Sequence, residues 1–435
     1  MKKLLLILVF FANLLTIMAF WRRGSSILIA SGAQAGLLIA LGRLAGLLGE
    51  FFILNQLVLI GRVGWVEQLF GHDRLNQAHR WVGYGIIIFF LSHPLLLTIG
   101  YARLSETSLA AQFINFLQNW EDVSKALIGL ILFIVLIGVS VAIVKKRLRY
   151  ETWYFSHLAM YAAIGLAFGH QTNSGDVSQG GPLYYWLALN FAVFGLLLAF
   201  RWLRPFYLFY RHRFFVEKII AEKGGAHSVY ASGKGLENYR FHAGQFANLT
   251  FLQKGMWFTH PFSFSAAPNG KFLRFSIKAS GDFTDKIHQI HKGTKIIIDG
   301  PLGIFTSEDK GKEKFLLIAG GIGITPIRAL AESLQQKNKD SVLLYGCKNP
   351  ADVIFEEELR AVAPKRHYIF SQKSGSNDPV STGRIEKSKI LSLVPDFKDR
   401  EIYMCGPVPM MKQLALEFES LGLPRRQIHF EKFNY

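Results

Sequence analysis

Four histidines lie at paired spacings in the apolar first half of this 435-residue chain. His79 and His93 are fourteen residues apart in one apolar segment, and His157 and His170 are thirteen apart in another. Imidazole is a common axial ligand of haem iron, so two helices that each supply two histidines can hold two stacked haems. At ~1.5 Å rise per residue the spacing separates the two ligand levels by roughly 20 Å, which suits a ~30 Å hydrocarbon core. The pattern predicts two haem b groups that carry electrons across a membrane.

The two spacings differ in geometry. Fourteen residues fall about 40° short of whole helical turns, whereas thirteen fall about 140° short. We therefore expect the helix with His157 and His170 to bend or to contain a π-bulge. A lone histidine on an apolar face is usually a packing residue, but four at paired spacings in segments otherwise free of charge favour iron ligation, because ionisable groups inside a membrane are costly.

Apolar segments near the ~20 residues of a spanning helix predict six transmembrane helices, at about 4–20, 32–60, 80–100, 124–144, 153–170 and 184–203. Met1-Lys2-Lys3 before the first segment would also fit a signal peptide. No A-x-A cleavage site follows, so a first membrane helix is favoured.

Basic residues predict the orientation, because cytoplasmic ends of membrane helices are rich in Lys and Arg. With the N-terminus inside, the cytoplasmic segments contain Lys2, Lys3, Arg62, Arg74, Arg80, Lys145, Lys146, Arg147, Arg149, Arg201, Arg204, Arg211 and Arg213, against which Arg22 and Arg23 are an exception. His79 and His157 then lie in the inner half of the bilayer, and the soluble half of the chain is cytoplasmic, at the cell (inner or plasma) membrane. Much of the net charge of +18 borders these membrane helices, where the orientation bias and anionic headgroups account for it, and no nucleic-acid-binding motif accompanies it. Two cysteines, Cys347 and Cys405, are too few for a disulfide framework or a zinc cluster.

The second half of the chain reads as two soluble domains. Short alternating strands broken by Gly and Asn predict an antiparallel β-barrel over 211–308, after a membrane domain at 1–210. Strands alternate with helices from 309 to 435, which predicts a Rossmann-like α/β domain. The fold class is therefore multidomain: a six-helix transmembrane bundle, then a barrel, then an α/β nucleotide-binding domain.

Three short motifs in this half are candidate binding elements. The first is a strand whose alternate side chains can face a flavin: His260, Pro261, Phe262, Ser263, Phe264 and Ser265. The second is a strand end and turn before a helix, whose free N–H groups suit a pyrophosphate: Lys278, Gly281, Asp282 and Thr284. The third is a glycine-rich loop between strand and helix that lets a dinucleotide approach the backbone: Gly320, Gly321, Gly323, Thr325 and Pro326. Each alone would also fit an ordinary turn or edge strand.

Taken in order, these motifs resemble the ferredoxin–NADP reductase superfamily over about 212–435. Four further segments contribute to the resemblance: Gly244-Gln245-Phe246, Asp299 to Gly303, Cys405-Gly406-Pro407 and Glu431-Lys432-Phe433. With the four-histidine half, the whole chain resembles the ferric reductase and NADPH oxidase family, as a minimal prokaryotic-type member without a calcium-binding loop. That family uses the same spacings of fourteen and thirteen. The resemblance implies FAD on the first two motifs, NAD(P)H on the glycine-rich loop and on Cys405, Gly406 and Pro407, and no obligatory protein partner.

The resemblance also implies catalytic roles. Phe433 would stack on the flavin and leave before nicotinamide can approach, with Tyr435 as a rival, and Cys405 would lie near the nicotinamide. Arg43 resembles an arginine near the outer haem, where it would balance propionates or help to bind an anionic product; the alternative is an arginine reaching out of an imprecisely placed span. At the adenosine end Ser371 is retained and Gln372 replaces an arginine, so NADPH preference would depend on Lys348, Lys373 and Arg384.

The terminal acceptor is open between dioxygen, which would give superoxide, and a ferric chelate. The outer loops at 101–122 and 171–183 lack the features of a chelate-binding surface, which favours dioxygen. A membrane scaffold with a degenerate reductase domain is the remote alternative, disfavoured because every cofactor motif is present.

Overall fold

The computed structural model describes residues 2–144, 150–307, 311–372 and 381–431. The chain divides into two compact units, Met1–Leu69 with Arg74–Arg201, and Phe70–Asp73 with Trp202–Tyr435. The division at 201 precedes the predicted boundary at 210, because the helix Arg204–His212 belongs to the second unit: Arg204 donates to the carbonyl of Gly300 at 3.0 Å and lies 3.6 Å from Asp299.

The first unit is helical. Its helices are α1 (Lys2–Gly24), α2 (Ser26–Ala30), α3 (Gln34–Ile60), α4 (Gly64–Phe70), α5 (His72–Leu104), α6 (Leu109–Asn119), α7 (Val123–Val144), α8 (Tyr150–Leu158), α9 (Met160–Asn173) and α10 (Gly180–Leu197). A π-helical turn at Leu198–Leu203 and α11 (Arg204–His212) follow in the chain, and α11 belongs to the second unit. Within the described residues, five helical stretches are long and apolar enough to cross a membrane: Lys2–Gly24, Gln34–Ile60, His72–Leu104, Val123–Val141 and Gly180–His212. They correspond to five of the six predicted spans.

The remaining predicted span, 153–170, is not one continuous helix. It is divided into α8 and α9 at Ala159, whose backbone N–H bonds to the carbonyl of Ser156, three residues back. The predicted irregularity between His157 and His170 is therefore confirmed. Its form is a local break at Ala159, where the helical hydrogen-bond ladder tightens to a bond between residues three apart.

The first part of the second unit contains two three-stranded antiparallel sheets. Strands β1 (Phe215–Glu222), β2 (Ala226–Ser232) and β5 (Leu273–Lys278) form one, and β4 (His260–Ser263), β3 (Phe246–Phe251) and β6 (Ile296–Leu302) the other. Single bridges, Phe215 with Lys295 and Phe264 with Phe275, connect the sheets at both edges. Alternate side chains point inward and form one apolar core, which includes Phe251, Phe264 and Phe275.

The second part is a five-stranded parallel sheet in the order β11 (Ile428–Phe430), β10 (Glu401–Cys405), β7 (Lys314–Gly320), β8 (Asp340–Cys347), β9 (Arg366–Phe370). Helices α12 (Ile324–Gln336) and α13 (Glu356–Val362) contribute to the core on one face, and α14 (Lys387–Leu393) and α15 (Val408–Ser420) to that on the other. Such a sheet is buried on both faces, which explains the uninterrupted apolar strands in the sequence. The carboxyl ends of β7, β8 and β10 meet at one edge, where ligands bind in folds of this type.

Candidate functional site

The four histidines form two facing pairs in the first unit. The ring centres of His79 and His157 are 6.3 Å apart, and those of His93 and His170 are 6.0 Å apart. Two metal–imidazole bonds of ~2.0–2.1 Å, each extended by about 1.1 Å from the ligating nitrogen to the ring centre, would place ring centres roughly 6.3 Å apart. Both pairs therefore have the separation that a shared iron atom requires.

Hydrogen bonds orient three of the four rings. Nδ1 of His93 is 2.8 Å from the carbonyl of Gly42, which can only accept, so this nitrogen carries the proton. Nδ1 of His157 faces the hydroxyl of Ser140 at 3.4 Å, and Nδ1 of His170 faces that of Ser174 at 3.3 Å. Each hydroxyl donates to a backbone carbonyl, so it can accept from the ring. All three rings then keep Nε2 free for a metal, as is usual for a ligating histidine whose other ring nitrogen donates to a protein oxygen.

Small residues on α3 let this helix approach His93. A Cβ on Gly46 would lie 2.6 Å from Nδ1 of His93, and one on Gly42 would lie 2.9 Å from the Leu97 side chain. On the other ring pair, the indole of Trp153 stacks on His157 at 5.2 Å and donates to Ser140 at 3.2 Å. The ligand positions are thus held by neighbouring helices.

A cavity of about 230 Å³, which we name the His93–His170 cavity, lies between α3, α5, α7 and α9. Its volume is many times the ~10–15 Å³ that one water molecule requires. Most of its wall is apolar, and besides His93 and His170 its charged or polar side chains include Arg43, Glu50, Thr98, Tyr101, Gln171, Ser174 and Asp176. A planar apolar group with a few polar contacts fits this lining.

Arg43 lines this cavity as part of an ion pair. Its guanidinium lies 3.0 Å from the carboxylate of Asp176, in the α9–α10 connection, and donates to the hydroxyl of Tyr101 at 3.3 Å. Glu50, two helical turns further along α3, is buried and hydrogen-bonded to Gln171. Its Oε1 has no hydrogen-bond partner among the described residues. Sequence reasoning missed Glu50, although an acidic residue inside an apolar span indicates a functional site. It also missed Asp176, which lies in a polar loop after the span and has no such signal in the sequence.

In the second unit, the predicted flavin strand is only partly open. β4 ends at Ser263, and His260, Pro261 and Phe262 are half-buried. Phe264 and Ser265 are completely buried. The hydroxyl of Ser265 lies 2.8 Å from that of Ser276 and accepts from Arg274 at 3.2 Å, so these last two motif residues hold the strand from inside the core.

The turn after β5 has the predicted position. The hydroxyl of Thr284 accepts from the N–H of Ser280 at 2.9 Å and donates to the carbonyl of Gly281 at 3.1 Å. A Cβ on Gly281 would meet nothing within 4 Å, and Asp282 is exposed, so one side of the turn is open. The helix that follows, Thr284–Gln289, is a 3₁₀ helix.

The two nucleotide motifs come together at the sheet edge. A Cβ on Gly323 would lie 2.3 Å from the carbonyl of Cys405, and one on Gly320 would lie 2.8 Å from the ring of Pro407. Gly406, at φ +159°, packs against the backbone of Gly320. Gly321, at φ +54°, faces open space, so the backbone can be approached there. Thr325 and Pro326 are buried in the first turn of α12.

Cys405 is buried, and burial together with the nearby charge of Glu431 raises the pKa of its thiol. It is therefore a neutral thiol at physiological pH, inert as a nucleophile. Burial also raises the pKa of Cys347 to about 11, against a smaller opposing effect from the charge of Lys278. Lys278, at the end of β5, thus lies near the carboxyl end of β8.

The predicted adenosine-end residues are exposed at one edge. The N–H of Gln372 bonds to the carbonyl of Lys348 at 2.9 Å, and that of Ser371 to the carbonyl of Cys347 at 2.9 Å. Arg384 follows the bridge between Thr382 and Phe370. Lys373, Phe433 and Tyr435 lie outside the described residues, as do Lys145, Lys146, Arg147 and Arg149.

Comparisons with known proteins agree with this arrangement. Residues 45–168 match the family profile described as the ferric reductase like transmembrane component. Residues 229–314 match an FAD-binding domain, and residues 317–415 an oxidoreductase NAD-binding domain. The chain therefore combines a membrane-linked ferric reductase-like domain with FAD- and NAD-binding oxidoreductase domains. This order of domains matches a ferric reductase/NADPH oxidase-like fusion.

Individual relatives cover part of the chain. The flavohemoprotein of Halalkalibacterium halodurans is 28% identical over 51% of this chain and 59% of the relative. The glycine betaine monooxygenase reductase subunit of Chromohalobacter salexigens is 27% identical over 44% and 56%. The matches thus span less than three fifths of these relatives. A solved ferredoxin reductase in carbazole 1,9a-dioxygenase is 23% identical over 51% of this chain and 68% of that chain, with a TM-score of 0.45.

Proposed function

We propose that this protein is a transmembrane oxidase that uses cytosolic NADPH to reduce dioxygen on the outer face of the membrane. The balanced reaction is NADPH + 2 O₂ → NADP⁺ + H⁺ + 2 O₂•⁻. The proposal rests on the two pairs of facing histidines, His79 with His157 and His93 with His170. The ring separation in each pair suits iron with two histidine ligands, and both pairs lie in one apolar helical bundle.

The residues present fit the two kinds of cofactor. The histidine pairs would hold two haems, and the half-open β4 strand, the Gly281 turn and the Gly320–Gly323 loop would hold FAD and nicotinamide nucleotide. FAD accepts two electrons together and releases them singly, and haem iron carries single electrons onward. The protein's own contribution is placement: the hydrogen bonds on Nδ1 fix the ligand rings, and the buried neutral thiol of Cys405 leaves the nicotinamide side free of a competing nucleophile.

Dioxygen is the proposed acceptor because the His93–His170 cavity has a mainly apolar wall. A ferric chelate is the second candidate, which the description of the matching membrane family favours. The orientation rests on the distribution of basic residues, which places the His93–His170 pair in the outer half of the bilayer.

The test uses the purified full chain in detergent, supplied with FAD, haem and NADPH in air. Cytochrome c reduction that superoxide dismutase abolishes is the expected result, and His170→Ala is the matched control that should lose it while keeping bound FAD. Activity that is insensitive to dismutase but follows added ferric citrate would replace dioxygen by the chelate. A chain that retains no haem would overturn both candidates.

We further propose that Phe433 gates access of nicotinamide to the flavin. Phe433→Ser should weaken the preference for NADPH over NADH, because an open flavin face no longer needs the binding energy of the 2′-phosphate to displace the ring. The ratio of kcat/KM for the two nucleotides measures this, with Tyr435→Ser as the matched control. An unchanged ratio in Phe433→Ser alongside a shift in Tyr435→Ser would assign the role to Tyr435.

A further inference from the structure

The charge of Arg43 in the His93–His170 cavity is cancelled by acidic residues. Its side chain is 26% exposed, whereas the carboxylate of Asp176 that binds it is 1% exposed. The hydroxyl of Ser25 also lies 3.4 Å from this carboxylate, so the Asp176 side chain is fixed from two sides. A guanidinium held in this way keeps its position but presents little net positive charge to a third group.

Glu50 adds a second acid to the same cavity. Its side chain is 4% exposed, lines the cavity, and has one oxygen without a hydrogen-bond partner among the described residues. Ionised or not, it adds no positive charge. Since ligating imidazoles are neutral, the charged groups on the cavity wall sum to zero or to −1.

The neighbouring loop does not restore a positive charge. Asp122 pairs with Lys125 at 2.6 Å and accepts from Asn173 at 3.0 Å, beside the end of α9, so this second ion pair is also neutral overall. An anionic acceptor would thus meet no uncompensated positive charge among these residues.

We propose that Asp176 and Glu50 are specificity-determining residues that, beside a haem held in the His93–His170 cavity, disfavour anionic electron acceptors, such as ferric citrate, and favour an uncharged one. Asp176 is a positioning residue, because it acts through Arg43, and Glu50 acts through its own charge or hydrogen bond. The inference rests on the proposed function, because it assigns the acceptor class of that site.

The experiment measures electron transfer to acceptors of different charge. The haem-loaded full chain is reduced anaerobically with dithionite, which bypasses NADPH and FAD. It is then mixed with dioxygen (neutral), ferric citrate (anionic) or hexaammineruthenium(III) (cationic), and haem absorbance gives a second-order rate constant for each. Asp176→Asn and Glu50→Gln are compared with Glu121→Gln, which removes the same charge from an exposed loop position outside the cavity wall.

Asp176→Asn should raise the rate constant for ferric citrate on the order of tenfold, which is the effect of one unit charge at about 10 Å and an effective dielectric of ~20. The same substitution should lower the rate constant for the ruthenium complex by a similar factor and leave the rate constant for dioxygen within about twofold of the parent value. The midpoint potential of one haem should rise, and Asp176→Glu should restore parent behaviour. Glu50→Gln should change the three rate constants in the same directions where Glu50 is ionised and leave them at parent values where it is protonated, so the inference is decided at Asp176.

Equal changes for all three acceptors would indicate a structural role and overturn the inference, as would a matching change in Glu121→Gln. If Asp176→Asn does not retain haem, Arg43→Gln decides the question, because it leaves the Asp176 carboxylate uncompensated and should change the rate constants for the two charged acceptors in the opposite directions. A parent chain without a reduced haem spectrum would instead refute the proposed function, and this is seen before any acceptor is added.

Discussion

A buried charge cluster joins the two halves of the second unit. Arg274 on β5 is 3% exposed and donates both to Glu358 on α13, at 2.8 and 3.0 Å, and to the carbonyl of Ser265 at 2.7 Å. Arg328 on α12 lies 2.8 Å from the same carboxylate and also pairs with Glu332. Glu358 therefore connects β5 of the antiparallel sheets to α12 and α13 beside the parallel sheet.

Glu358→Gln should destabilise this unit by about 2–3 kcal/mol. Breaking a fully buried ion pair costs about 3–5 kcal/mol, because the remaining charge is left without a partner. The value here is lower because the Glu358 side chain is 35% exposed, so water screens the site, and because Arg328 retains Glu332. For a unit of this size the midpoint of unfolding should fall by roughly 5–10 °C.

The effect should depend on pH. Burial alone would raise the pKa of Glu358, but hydrogen bonds from Arg274 and the charges of Arg274 and Arg328 outweigh it, so the pKa lies below its ordinary value of 4.5. A carboxyl with a lowered pKa contributes stability that is present above its unfolded pKa and is lost as pH falls through its folded pKa. The difference in stability between parent and variant should thus be full at pH 7 and should narrow as pH falls below 4.5, the ordinary pKa of this carboxyl.

The assay is thermal release of FAD from the full chain in detergent, followed by flavin fluorescence at pH 7 and at pH 4. Glu357→Gln is the matched control: its side chain is 79% exposed and lies 3.3 Å from the exposed guanidinium of Arg360, so about 0–0.5 kcal/mol is expected. Two results would refute the reasoning. One is a midpoint for Glu358→Gln within about 1–2 °C of the parent, which is the effect expected of a surface ion pair. The other is a difference in midpoint between parent and variant that does not change with pH.

Three further outcomes are expected. His170→Ala should halve the haem content measured by the reduced-minus-oxidised spectrum while flavin content stays constant; no loss of haem would contradict the ligand assignment. Ser140→Ala should shift the midpoint potential of one haem and leave the other unchanged, because it removes the acceptor for Nδ1 of His157; identical redox titrations of parent and variant would exclude this role of Ser140. Lys348→Ala combined with Lys373→Ala should abolish an NADPH preference on the order of tenfold, or about 1.4 kcal/mol, in the ratio of kcat/KM for NADPH and NADH; a retained preference would assign it to other residues.

Features that depend on local order along the chain could be predicted from the sequence. Helix and strand periodicity depends on neighbouring residues, so the apolar spans and the alternating strands were recognisable. The spacing of the histidines predicted two levels of paired rings along the helices. Thirteen residues do not complete whole helical turns, and this correctly indicated an irregular helix, which is interrupted at Ala159. Glycine-rich loops between strand and helix marked the nucleotide edge, because only glycine tolerates φ +54° at position 321 and the close approach at position 323 without strain.

Contacts between residues distant in sequence were decided by the tertiary structure alone. Asp176 pairs with Arg43 across 133 positions, and Arg274 with Glu358 across 84, and neither spacing has a local signature. The same holds for Phe264 and Ser265, which read as part of an exposed strand but turn into the core after β4 ends at Ser263. The sequence by itself determined which residue types were available for chemistry. Which charges cancel and which rings face each other depended on packing between separate elements, because burial and partner geometry set the energy of a polar group.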